Sequence, residues 1–277
     1  MRSGLSVNLP VVLLTLWAAL SIGACCLPLQ PDVIELQQIL AQPGDGAMLG
    51  YDDLGRNILD RLIVGARTSF LVSIWVVSLS LLAGTLLGTA TAYHGGWWDR
   101  ATVLLVDVFL AFPGILLAIA LAGLLGPGIS NVVIALTTVG WVGYARLSRA
   151  QVLSLKQREH VQAAEALGSS KWRIIRKHLL PLMAAPLIIE ATFGIAAVVV
   201  AEAGLSFLGL GVQPPEASWG AMIRDGTRYM LVAPHMVLAP GVALFAVVLS
   251  VNLLGDRLRD KLDIRLAGRN GTHTWKG

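Results

Sequence analysis

The sequence predicts an all-α, polytopic membrane protein with six transmembrane helices, and three observations lead there. Hydrophobic residues make up 55% of the 277 residues and charged residues 14%, where a soluble domain carries roughly 25% charged residues. Charge-free intervals long enough to span a bilayer recur along the chain, as a hydrocarbon core that solvates neither charges nor broken backbone demands. Aromatic residues are only 6%, too few for the girdles of an outer-membrane barrel. The same numbers argue against a water-soluble enzyme.

The elements follow in order. No charge lies between Ser3 and Pro31, and residues 11–29 form the apolar centre of span one. Residues 68–93 are again free of charge and form span two. Between Arg100 and Arg146 the only charge is Asp107, and the interval accommodates spans three and four, meeting at Gly126-Pro127-Gly128. Residues 183–207 are apolar and small apart from Glu190 and Glu202, and form span five. Residues 232–255 hold no Asp, Glu, Lys or Arg and form span six.

Basic residues near span ends resist translocation and so orient the bundle. With the N-terminus inside, sixteen Lys and Arg side chains fall on inside segments, among them Arg2, Arg100 and eight between Arg146 and Lys177. Five fall outside: Arg56, Arg61, Arg67, Arg224 and Arg228. Both termini are therefore expected in the cytoplasm, and the net charge of +4 needs no nucleic acid to explain it. Ile22-Gly23-Ala24-Cys25 loosely resembles a lipoprotein cleavage motif. The single basic residue ahead of it and the length of the apolar run favour an uncleaved anchor. Adjacent Cys25 and Cys26 provide neither a disulfide framework nor a zinc spacing.

Two outside segments stand apart from the spans. The first, residues 30–67, carries turn formers at Pro31, Pro43-Gly44-Asp45-Gly46 and Gly50-Tyr51-Asp52-Asp53-Leu54-Gly55. It ends in a short surface helix with Ile58, Leu59, Leu62 and Ile63 on one face and Asp60 and Arg61 turned away. In the second, residues 209–234, Trp219 suits an interfacial anchor. The largest inside segment, residues 146–181, reads as helix, glycine, helix. Residues 159–167 form a helix, Gly168 closes it in the left-handed conformation, and Ser169 or Ser170 caps the next one. That second helix places Trp172, Ile175 and Leu179 on one stripe, away from Lys171, Arg173, Arg176 and Lys177. Pro181 marks entry into span five. On residue types alone such a hairpin fits an anionic lipid surface or a protein partner equally well.

Within the spans, Gly84-x-x-x-Gly88 permits close helix approach, and Phe112-Pro113-Gly114 permits a kink. Asp107, Glu190 and Glu202 are costly at membrane depth and are expected to face protein or water. Asp107 is expected to support helix packing or a gate. No phosphate-binding Gly-x-x-x-x-Gly-Lys-Ser/Thr loop, Gly-x-Ser-x-Gly or His-Glu-x-x-His occurs. His94, His160, His178, His235 and His273 are scattered, which argues against a preformed histidine metal site.

Gln162-Ala163-Ala164-Glu165-Ala166-Leu167-Gly168, followed after nine residues by His178-Leu179-Leu180-Pro181, resembles the conserved loop of ABC importer membrane subunits. Gly50, Asp52, Gly55 and Arg56, with the Gly65-Ala66-Arg67-Thr68-Ser69 stretch, resemble the extracytoplasmic signature of the dipeptide, oligopeptide and nickel importer permeases. Residues 201–211, Ser218-Trp219-Gly220 and residues 252–263 are similar to that family as well. The length and long first loop suit its C-type subunit. Two positions depart from the loop pattern: Gln162 stands where the family has Glu, and His178 where it has Ile.

The resemblance implies a type I ABC importer permease fold with cytoplasmic coupling helices, in a bacterial inner membrane. It divides the chain into residues 1–66 (first helix and outer segment), 67–265 (core transmembrane domain) and 266–277 (cytoplasmic tail). It also implies a second permease subunit, two ABC ATPase subunits and an extracytoplasmic solute-binding protein, in a lipid bilayer and without nucleic acid. ATP and magnesium would belong to the ATPases, leaving no cofactor, metal or catalytic residue in this chain. Gln162, Ala163, Ala164, Glu165, Gly168, Trp172, Ile175 and Pro181 would form the ATPase-coupling loop, with Trp172 or Ile175 as its apolar anchor or as packing inside the hairpin. Asp107, Phe112, Pro113, Glu190 and Glu202 would serve the pathway or helix packing. Peptides are the implied cargo, with nickel or a metal chelate as the alternative and a non-transporting scaffold as a reading from another class.

Overall fold

Helix α2 (Ile58–His94) and helix α5 (Ile129–Leu155) form the central pair of the bundle in the computed structural model. The structure describes residues 4–270, with side chains described for residues 9–262. Arg2 and the tail beyond residue 270, both used in the orientation argument, lie outside the described residues, as do the side chains of residues 263–270. Around the central pair stand α1 (Gly4–Gly23), α3 (Gly96–Leu110), α4 (Gly114–Leu125), α6 (Glu159–Ala166), α7 (Lys171–Ile174), α8 (Leu180–Phe207), α9 (Trp219–Thr227) and α10 (His235–Asn270). The only pairing of extended backbone among the described residues is a single bridge between Tyr51 and Asn57.

Small residues set the distance between α2 and α5. A Cβ on Gly84 would collide with the Trp141 carbonyl oxygen, and one on Gly88 with that of Ala145. From the other side, a Cβ on Gly140 would lie 2.7 Å from Ser80 Oγ. The Gly-x-x-x-Gly pattern therefore serves packing, bringing two backbones to a separation that no larger residue allows.

Among the described residues, three helices are each long and apolar enough to cross a membrane: Ile58–His94, Lys171–Phe207 and His235–Leu262. Helices α3 and α4 together make one further candidate, bent by 85° at their break. The sequence reading divides this region at Gly126-Pro127-Gly128. Those residues do turn the chain between α4 and α5, with Gly126 and Gly128 at positive φ, and a further bend, not expected to be so strong, lies within the first of the two spans at Phe112-Pro113. There Pro113 lacks the N–H that would continue the α3 ladder, and its carbonyl instead accepts from Leu116 and Leu117 to start α4. The short helix expected before span two is likewise not separate. It is the first turn and a half of α2, capped by Asn57, whose side chain accepts from the Leu59 N–H at 2.9 Å.

At one end of the bundle, α1, α2, α8, α9 and α10 share a core containing Trp17, Ile58, Val199, Trp219 and Met236. Trp219 is 2% exposed, and its indole N–H donates to the Leu62 carbonyl at 3.0 Å. It is thus a core residue and not the interfacial anchor that its place in an outer loop predicts. The cause is Gly65, whose missing side chain leaves room for the ring 2.9 Å from where a Cβ would stand.

Candidate functional site

The opposite end of the bundle carries the helix, glycine, helix hairpin. Gly168, at φ +77°, donates to Glu165 O, and Ser169 donates to Ala164 O. This pair of bonds closes α6 through a left-handed glycine, as the sequence predicts. Ser170 occupies the cap position of α7, but its side chain makes no capping bond. Past α7 the helix widens into a π turn over residues 175–179, with the Leu180 N–H bonded to Ile175 O, and then continues through Pro181 into α8. Pro181 therefore lies inside one continuous helix, Lys171–Phe207, and does not mark its start.

That π turn sorts the apolar residues. One added residue in the turn rotates the segment before it relative to the segment after it. Ile174, Ile175 and Leu179 consequently face inward, joining Tyr93, Val152, Leu155, Val161 and Met183 in one core. Trp172 leaves the stripe on which 3.6-residue periodicity places it and is 65% exposed, and Leu167, at the end of α6, is 86% exposed. Of the two anchor candidates, Ile175 packs within the hairpin and Trp172 projects from it. Gln162, Ala163, Gly168 and Pro181 are exposed and Ala164 is buried. Lys171, Arg173, Arg176 and Lys177 are exposed as expected.

Two residues that the sequence reading misses tie the hairpin to the bundle. The Tyr93 hydroxyl donates to Glu165 Oε1 at 2.7 Å. Lys156 Nζ donates to Tyr93 O at 3.0 Å and stands 4.9 Å from the centroid of the Tyr93 ring. The available signal was positional: Tyr93 and Lys156 each close an apolar helix at the same end of the bundle, where polar tips gather. Nearby, Arg149 Nε and Nη2 donate to the two oxygens of Asp99 at 2.7 and 2.8 Å, joining the start of α3 to α5.

The three carboxylates within apolar helices divide into two kinds. Glu202 is 1% exposed and accepts from Ser69 Oγ and Ser206 Oγ, both at 2.8 Å. Asp107 and Glu190 are exposed on this chain, and among the described residues neither carboxylate has a hydrogen-bond or ion-pair partner. Phe112, at the bend, is exposed too. An open apolar groove of about 710 Å³ runs between α4, α5, α8 and α10, lined in part by Gly114, Leu136, Gly140, Phe193, Ala197 and Asn252. Glu190 lies one helical turn from Phe193, with Oε1 3.5 Å from where a Cβ of Gly143 would stand.

At the far end, the signature-like residues build a folded cap. Asp52 Oδ1 accepts from the N–H groups of Leu54 and Arg56, and Arg56 Nε donates to Asp52 Oδ2 at 2.6 Å. Gly50 and Gly55 both hold positive φ where a Cβ would meet backbone of residues 41 and 35. Arg61 is 3% exposed and donates to Pro31 O, Asp32 Oδ1 and Pro215 O. The sequence reading turns Arg61 toward solvent, whereas the loop ahead of α2 folds back over that face and buries it. Arg67 is exposed. Burial, together with the adjacent Asp52 carboxylate, pushes the Asp53 carboxyl above its ordinary value, against the pull of Arg56.

His160 and His178 come together, with ring centroids 6.2 Å apart. Among the described residues no three His, Cys, Asp or Glu side chains cluster in a way that could hold a metal. Cys25 and Cys26 are free and exposed.

Residues 80–268 match the family described as "Binding-protein-dependent transport system inner membrane component". The chain is 41% identical over 224 residues to the "Glutathione transport system permease protein GsiD" of Pectobacterium atrosepticum, covering 81% of this chain and 74% of that one. It is 43% identical over 219 residues to the protein of the same name from Escherichia coli, covering 79% and 72%. Among solved structures, "Inward facing conformations of the MetNI methionine ABC transporter" shares the fold at TM-score 0.55 and 20% identity, over 73% of this chain and 95% of that one. The chain thus belongs to the inner-membrane components of binding-protein-dependent transport systems: it is a multi-pass permease subunit of an ABC importer and not itself an enzyme.

Proposed function

We propose that this chain forms half of a translocation pathway for short peptides or glutathione-like solutes. In this reading it crosses the membrane six times with both termini in the cytoplasm, and the hairpin at residues 146–181 docks on an ABC ATPase. A second permease subunit completes the pathway, and an extracytoplasmic binding protein delivers solute to the capped end. Nucleotide and magnesium belong to the ATPases.

One observation carries the reading. The hairpin is bolted to the bundle by its inner face, while Leu167 and Trp172 project from its outer face at 86% and 65% exposure. Large aromatic side chains presented by a rigid scaffold are the usual anchors of a protein interface. The names of the relatives support the solute class, and the sixteen-to-five distribution of basic residues supports the orientation. Asp107 and Glu190, exposed within apolar helices, fit a surface covered by the second subunit or by pathway water better than one facing lipid.

Co-purification from membranes tests the docking. ATPase subunits co-expressed with the wild-type chain are expected to be retained and to be lost with Gly168→Pro, which removes the left-handed closure of α6. Failure of the wild-type chain to retain any ATPase overturns the reading. Thermal stabilisation of the cognate binding protein by glutathione or short peptides tests the solute, and stabilisation only by a nickel chelate would replace peptides with that cargo.

A further inference from the structure

We infer that Tyr93 is the positioning residue through which the hairpin's first helix, α6, moves the α2–α5 pair. The inference rests on the docking of that hairpin on an ATPase. Tyr93 is buried at the end of α2 and makes three contacts with two other elements. Its hydroxyl donates to Glu165 on α6, its carbonyl accepts from Lys156 at the end of α5, and the Lys156 ammonium stands over its ring.

The kinds of contact differ in what they can transmit. The buried hold of α6 on the bundle otherwise comes from Val161 and Ala164, and apolar packing is non-directional, so it tolerates sliding. The Tyr93–Glu165 bond fixes distance and direction. Glu165 lies two residues from Leu167, on the stretch that presents the exposed surface, so a push received there reaches the bond over a short rigid path.

The receiving body is also distinctive. Helices α8 and α10 contain Pro186 and Pro240, and α3 breaks from α4 at Pro113. Helices α2 and α5 contain no proline and are locked together by Gly84, Gly88 and Gly140. Tyr93 and Lys156 join this pair at its hairpin end. Helix α2 then runs 37 residues, about 55 Å at 1.5 Å per residue, to Ile58 and Arg61 under the far cap. A displacement at Glu165 is therefore delivered to the solute-entry end by an unbroken pair of rods.

The test is solute imported per ATP hydrolysed by the complete importer in proteoliposomes, measured beside the amount of ATPase that co-purifies. Tyr93→Phe keeps the ring, the carbonyl contact and the packing, and removes only the hydroxyl. It is expected to retain ATPase and to hydrolyse ATP, while import per ATP falls about tenfold, a common size for a single coupling contact. Glu165→Ala should lower import per ATP by the same factor, but because Glu165 belongs to the loop that meets the ATPase, its ATPase retention and hydrolysis are not used as readouts. Glu165→Gln, whose amide oxygen still accepts from the phenol, should lose less, and Tyr93→Phe with Glu165→Ala should be no worse than either alone. Unchanged import per ATP in Tyr93→Phe overturns the inference, as do multiplying effects in the double variant or a parallel loss of ATPase retention and hydrolysis in Tyr93→Phe. A wild-type chain that retains no ATPase overturns the docking itself, which separates the two failures.

Discussion

Glu202 on α8 accepts a hydrogen bond from Ser69 on α2 at 2.8 Å, across 133 residues of sequence and inside the apolar bundle. With Ser206 as its second donor, the carboxyl has a partner on each oxygen, so it ties α2 to α8 and is not open to solute. Ser69→Ala is expected to destabilise the protein by about 0.6 to 1.7 kcal/mol, the range of interhelical hydrogen bonds in membranes. Glu202→Leu is expected to cost more, because it strands two buried hydroxyls. Unfolding of the detergent-purified chain in SDS measures both.

The glycine seam yields a sharper contrast. Gly84→Ala and Gly88→Ala each place a methyl group against a backbone carbonyl of α5. Backbone cannot rotate aside, so both variants should lose most folded protein on size-exclusion chromatography. Gly123→Ala and Gly241→Ala add the same group in helices where nothing lies within 4 Å. They should be neutral or stabilising by up to about 1 kcal/mol through helix propensity.

Neighbouring residues of the hairpin should separate binding from folding. Trp172→Ala removes an exposed ring and is expected to weaken ATPase retention about thirtyfold, the loss of about 2 kcal/mol that marks an interface anchor, with unchanged thermal stability. Ile174→Ala opens a cavity in the core and should cost about 2 to 5 kcal/mol. A fluorescence-based melting curve beside the co-purification assay distinguishes them.

The cap supplies a pH test. Asp53 holds its proton more tightly in the folded chain than in the unfolded one, so its ionisation opposes folding. The penalty is absent below the ordinary aspartate range and develops as pH rises through the raised value. Asp53→Asn should therefore raise the melting temperature at pH 7, and the gain should vanish in acid, below about pH 4.

Much of this architecture was legible in the sequence because lipid imposes few solutions. Charge-free intervals located α2, α8 and α10, and Gly168 announced the closure of α6. The misreadings have two causes, one local and one long-range. A 3.6-residue period assigns Trp172 to a stripe, and the π turn at residues 175–179 has a different period. Arg61 and Trp219 looked exposed because each lies in a polar neighbourhood, but burial at both depends on segments distant in sequence: residues 31–32 and 215 over Arg61, and Gly65 and Leu62 beneath Trp219. The Tyr93–Glu165 bond was hidden for the same reason, spanning 72 residues. Pro113 was read as permitting a kink, but how sharply the chain turns there depends on where α4 finds its packing against α5.

The uncovered carboxylates of Asp107 and Glu190 also constrain biogenesis. A charged side chain at the bilayer centre costs roughly 2.5–3.5 kcal/mol on insertion scales, comparable to a large part of a domain's net stability. Under the proposed assembly, with a second permease subunit over these positions, a copy made alone would sit in the lipid at a disadvantage that assembly relieves. Cellular abundance of this chain should accordingly track that of whatever subunit closes over those two positions, with orphan copies cleared by membrane proteolysis.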